Sequence, residues 1–75
     1  MRRTDAIGKT LTFNDVLVSR NEIVFTGNKD DERIEFLVLM LDDNDDMKLY
    51  EQINTAVIAN WMETGKPFPV TIDIK

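Results

Sequence analysis

The side chains best equipped for chemistry in this sequence are carboxylates, and nine of its fourteen acidic residues fall between positions 30 and 51. Asp42, Asn44 and Asp46 have the alternate spacing of the first three oxygen ligands of a calcium loop. The pattern then stops, because the sixth position of such a loop needs glycine and holds Met47, while the twelfth needs glutamate and holds Ile53. Helix capping by a solvated acidic turn is the simpler role, and no metal site is expected. Ile7-Gly8-Lys9-Thr10 matches the end of a phosphate-cradling loop, but the loop's first glycine would stand where Arg3 does, and no strong strand precedes it. No cofactor is expected.

Catalytic groups are sparse. The chain has no histidine and no cysteine, so the usual general base near neutrality and the thiolate nucleophile are both missing, and its single serine, Ser19, has no evident base partner. Glu32 and Glu35 lie on one short extended segment at an odd separation, which puts them on opposite faces. These residue types point away from an enzyme.

Charge is strongly segregated. Residues 1–29 carry five basic and three acidic side chains, residues 30–51 two basic and nine acidic, and residues 52–75 two of each. The middle block alone therefore carries −7, against −5 for the whole chain. Such a block repels a phosphate backbone, and no basic stripe interleaved with aromatics offsets it, so nucleic acid is not an expected partner. The longest apolar run, Phe36 to Leu41, is six residues, far below the roughly 20 needed to span a bilayer. Nothing near the N-terminus has the apolar stretch of an export signal. Together with the absent cysteines, this leads to the expectation of a cytoplasmic protein with no membrane association.

The elements that must position these groups can be read from periodicity. Seventy-five residues make one domain, 1–75, since so short a chain cannot form two cores. Lys9 to Phe13 alternates as a half-buried strand, and Val16–Ser19 and Glu22–Thr26 are β-branched segments that read as a hairpin or as one bent strand. Gly27 to Asp31 reads as a turn. Glu32–Leu41 is the strongest strand, with Ile34, Phe36, Val38 and Met40 on one face and Arg33, Glu35, Leu37, Leu39 and Leu41 on the other. From about residue 45 to 63 the period is helical, placing Met47, Tyr50, Ile53, Val57, Ile58, Trp61 and Met62 on one half of the wheel. Trp61 and Tyr50 are accordingly expected in the core. Asn54 falls within that apolar half, where its amide needs a hydrogen bond or a wet margin. Gly65 and Pro67 stop the helix, and Val70–Ile74 forms a last strand. The expected architecture is α+β: a small antiparallel sheet of four to five strands with one amphipathic helix on one face, in the order β-β-(β)-β-α-β.

One helix covers one face of a sheet, and Glu32–Leu41 is apolar on both in its second half. Leu37, Leu39 and Leu41, joined by Leu17 or Val24, are therefore expected to lack cover and to meet a partner. The acidic block of Asp30, Asp31, Glu32, Glu35, Asp42, Asp43, Asp45 and Asp46 is expected to steer that partner, through basic groups on its surface. The function that follows is a small acidic protein-binding module, an inhibitor or adaptor. The alternative is a self-assembling subunit, a homo-oligomer built through the second sheet face or an edge strand.

Overall fold

The computed structural model describes residues 1–29 and 32–75, with side chains described outside 29–35. A single-turn helix α1 (Arg3–Ala6) leads to strands β1 (Thr10–Phe13), β2 (Asp15–Val18), β3 (Glu22–Lys29) and β4 (Glu32–Met40). The long helix α2 (Asn44–Thr64) and strand β5 (Val70–Asp73) follow. The fold is α+β, but the strands form two antiparallel sheets, β1–β5 and β2–β3–β4, instead of one. The division arises at Asn14. Its N–H donates to the Thr26 carbonyl at 2.7 Å, while Asp15 is the register partner of the same Thr26. Two residues opposite one is a bulge, and a bulge bends the strand out of one sheet and into the next.

Val16–Thr26 makes a hairpin of β2 and β3, closed by Ser19 N–H donating to the Glu22 carbonyl at 2.9 Å. Gly27, Asn28 and Lys29, expected in a turn, instead extend β3, with a register slip between Gly27 and Asn28. Helix α1 has no counterpart in the sequence reading. It seats Ala6, which is fully buried, and gives way to β1 through Gly8 at φ 87°. The Gly8 N–H donates to the Ile74 carbonyl at 2.8 Å, so this glycine joins the β1–β5 ladder and does not open toward a phosphate.

Register decides which face of the three-stranded sheet lies inside. Ile23 pairs with Leu39 and Phe25 with Leu37, and all four are buried. The opposite face pairs Glu22 with Met40, Val24 with Val38 and Thr26 with Phe36, and carries Asp15 and Leu17 from β2. Turning that face inward would take the Glu22 and Asp15 carboxylates out of water at a cost no helix could offset. The core therefore joins Ile23, Phe25, Leu37 and Leu39 to Leu11 and Phe13 of β1, Leu49 and Ile53 of α2, and Val70 and Ile74 at the C-terminal strand. The rings of Phe13 and Phe25 lie 5.1 Å apart at its centre.

Helix α2 begins at Asp43, whose Oδ1 accepts the N–H groups of Asp45 and Asp46 at 2.9 and 3.0 Å, the usual relief for free amides in a first turn. It ends at Gly65, held at φ 83° with its N–H on the Trp61 carbonyl. Its inward face centres on Asp46, Leu49 and Ile53. By wheel arithmetic at about 100° per residue, that centre is rotated roughly 90° from the face the apolar residues define. Two polar anchors account for the rotation. Asp46 is drawn inward by cations and a backbone amide, described below. Fourteen residues on, and within about 40° on the wheel, Asn60 Nδ2 lies 3.0, 3.2 and 3.0 Å from the carbonyls of Lys66, Pro67 and Pro69. Asn54 is half-buried at the margin of the footprint. Among the described residues no helix is long and apolar enough to cross a membrane.

Candidate functional site

The acidic block does not form one surface. Asp46 is only 1% exposed: its Oδ1 accepts Arg3 Nε–H at 2.7 Å, its Oδ2 accepts the Met40 N–H at 2.8 Å, and Arg2 Nη2 stands 3.6 Å away. This carboxylate locks the N-terminal segment and the end of β4 to the first turn of α2. It is an internal ion pair and not the partner-facing acid expected of it, because burial leaves it no approach from solvent. The hydrogen bond to Asp46 holds the Arg3 guanidinium above its usual range against partial desolvation, with Asp45 and Asp43 adding to the pull.

Asp43 is the helix cap. The N–H of Asp46 is the main cause that holds its carboxyl below the ordinary 3.8; burial opposes, and the Asp45 N–H, Arg3 and Arg2 add to the lowering. A carboxyl whose folded-state value is depressed stabilises the fold above that ordinary value and loses the contribution as the pH falls through the folded one. We expect Asp43→Asn, which keeps an acceptor but cannot titrate, to unfold less readily relative to the parent chain as the pH drops below 3.8. Urea midpoints measured across that range check this, and a constant difference between the two chains would show that the charge contributes nothing.

Asp42 and Asp45 are exposed beside the cap. Asp30 and Asp31 lie outside the described residues, and Glu32 and Glu35 belong to β4 with side chains outside them. Leu37 and Leu39 are fully enclosed by the single chain, which corrects the expectation that they lack cover: the register with Phe25 and Ile23 turns them toward α2. Leu41, past the end of β4, is part-exposed beside a shallow cleft of about 320 Å³ shared with Arg20, Asn21 and Asp42. A second cleft of about 370 Å³ gathers Arg3, Lys48 and Lys75 around Asp45. Among the described residues no group of three or more Asp, Glu, His or Cys side chains is placed to hold a metal ion.

Apolar surface also reaches solvent in two places away from Leu37 and Leu39, and the second holds Leu17 and Val24, which were expected to lack cover. The first is the C-terminal half of α2, where Ile58, Trp61 and Met62 are 46%, 58% and 83% exposed. Trp61 is thus a surface residue, while Tyr50 remains against the core with its ring 6.3 Å from that of Phe25. At about 1.5 Å per residue, 21 residues run roughly 32 Å. The longest extent of the molecule is 31 Å, so the four-residue strands β1 and β5 cannot underlie the whole helix. The second place is the outer face of the three-stranded sheet, where Leu17 is 61% exposed and Phe36 is part-exposed beside Val24 and Val38. Only the 3.6-residue spacing of 58, 61 and 62 could have flagged the helix patch in the sequence, and the same spacing reads equally well as core. No protein-family model, curated protein or solved structure matches this chain.

Proposed function

We propose that this chain is a non-enzymatic protein-interaction module, an inhibitor or adaptor acting in the cytoplasm, that docks the C-terminal half of α2 into an apolar groove edged with basic side chains. The observation that carries the reading is the exposure of Ile58, Trp61 and Met62 at i, i+3 and i+4 spacing on one helix, the arrangement by which amphipathic helices anchor in grooves. Tryptophan and methionine are enriched at such anchors because each buries a large area. The polar anchors Asp46 and Asn60 support it further, since they hold the helix at a rotation that leaves this stripe outward. The chemistry of the partner follows from charge: the chain is −5 overall, Glu51 extends the stripe along the helix, and Asp42 and Asp45 are exposed at its start. Such a field speeds encounter with a basic surface and weakens with salt.

The test uses the chain's sole tryptophan. Proteins retained from the native cell by the parent chain are expected to be lost by Ile58→Ser/Met62→Ser. Both sites are exposed, so the pair should alter stability by no more than about 1 kcal/mol. Titrating the retained protein should shift Trp61 emission to the blue, with affinity falling as salt rises. Equal retention by the double variant, or an unmoved emission, would overturn the docking role of α2.

A further inference from the structure

Sulfur in this chain is confined to four methionines, because it has no cysteine. A peroxide that meets the protein finds no thiolate to attack, so the thioethers become its readiest targets. Burial ranks them. Met1, Met40 and Met47 are half-buried, and Met1 and Met47 pack against the core. Met62 is 83% exposed, more than any other large apolar side chain among the described residues.

The polar anchors of α2 produce this ranking. Asp46 is held by Arg3, and Asn60 by the connector carbonyls; position 62 falls roughly 160° around the wheel from each of them. Met62 is thus turned almost directly away from the core. It shares its stripe with Ile58 and Trp61, both exposed. An unbranched, polarizable thioether adapts well to an apolar groove, and adding one oxygen to the sulfur makes that side chain polar and chiral.

We propose that Met62 is a reversible oxidation site, at which hydrogen peroxide turns the α2 stripe from apolar to polar while the fold stays intact. The thioether sulfur gives an electron pair to one peroxide oxygen: an S–O bond forms, the O–O bond breaks, and after a proton shift the other oxygen leaves as water. The sulfur is oxidised and the peroxide reduced. A thiol-dependent methionine sulfoxide reductase reverses the step, releasing the oxygen as water while a pair of thiols becomes a disulfide. Exposure is what separates this from damage. A sulfoxide at position 62 projects into solvent, whereas one at Met47 would sit against the core and loosen it. The consequence, release of a protein docked on the stripe, rests on the reading of α2 given above; the chemistry at Met62 does not.

The full chain treated with millimolar hydrogen peroxide and mapped by tryptic mass spectrometry tests the proposal. Trypsin leaves Met62 on the 49–75 fragment and Met40 and Met47 on 34–48. The first is expected to gain oxygen on the order of tenfold faster than the second, and urea should erase the difference by unfolding the chain. The singly oxidised chain should keep the urea midpoint of the untreated one yet elute earlier from a phenyl matrix in high salt. A sulfoxide reductase with dithiothreitol should restore its elution. Met62→Leu, whose side chain stays apolar and cannot be oxidised in this way, should elute at one position before and after treatment. Equal oxidation of Met40 or Met47, a lowered midpoint after oxidation at Met62 alone, or an equal shift in Met62→Leu would each overturn the site. Cellular proteins kept by the oxidised chain but lost by Ile58→Ser/Met62→Ser would overturn the regulation alone, while proteins kept by both would overturn the docking reading.

Discussion

Replacing Asp46 with alanine is expected to lower the free energy of unfolding by about 3 kcal/mol. The change strands the Met40 N–H and leaves Arg3 and Arg2 beside one another without their shared carboxylate. Those losses fall at the one point where the N-terminal segment, the end of β4 and the start of α2 meet. A chain of 75 residues has roughly 4–11 kcal/mol of total stability, so the variant should be partly unfolded near physiological temperature. Urea unfolding followed by far-ultraviolet circular dichroism measures the effect directly. A loss below about 1 kcal/mol would mean that water replaces the carboxylate freely, contrary to its 1% exposure.

The second large effect is expected at Leu39. Leu39→Ala removes a fully enclosed side chain that pairs with Ile23 across the sheet and should cost about 3 kcal/mol through lost transfer energy and the cavity left behind. Leu41→Ala, two residues on and part-exposed, should cost less than about 1 kcal/mol. Neither change should alter the mass in solution, because neither side chain lies on the α2 stripe assigned to docking. Leu39→Lys should unfold the chain outright. If instead it yielded a folded protein of lower mass, Leu39 would be an interface residue after all.

These two sites mark how far the sequence could be read. Val16–Thr26 stayed open between a hairpin and one bent strand until the β2–β3 pairing decided for the hairpin, whereas the helix over about residues 45 to 63 with its stop at Gly65, and the strands ending at Phe13 and beginning at Val70, were legible. Each rests on local chemistry: caps, turn residues and the period of apolar side chains. The rotation of α2 was not legible. Apolar counting placed Ile58 and Met62 inward, and they are outward because Asp46 is tied to the N-terminal segment and Asn60 to the Lys66–Pro69 connector. The Asp46 partner Arg3 lies 43 residues earlier, and no local pattern announces such a pair. The acidic block misled for the same reason: its members look alike in sequence, yet Asp43 caps a helix, Asp46 is buried and Asp42 meets solvent.

By itself the sequence determined the long helix and the strands on either side of it, the absence of imidazole and thiol chemistry, and the excess of negative charge, since these depend only on residue type and near-neighbour spacing. Tertiary structure alone decided the split into two sheets at Asn14, the enclosure of Leu37 and Leu39, and the exposure of Trp61. Those outcomes turn on strand register and helix rotation, where a shift of one residue or a quarter turn exchanges inside for outside. What selects among such alternatives is the pairing of side chains distant in sequence: Phe25 with Leu37, Ile23 with Leu39, and Arg3 with Asp46.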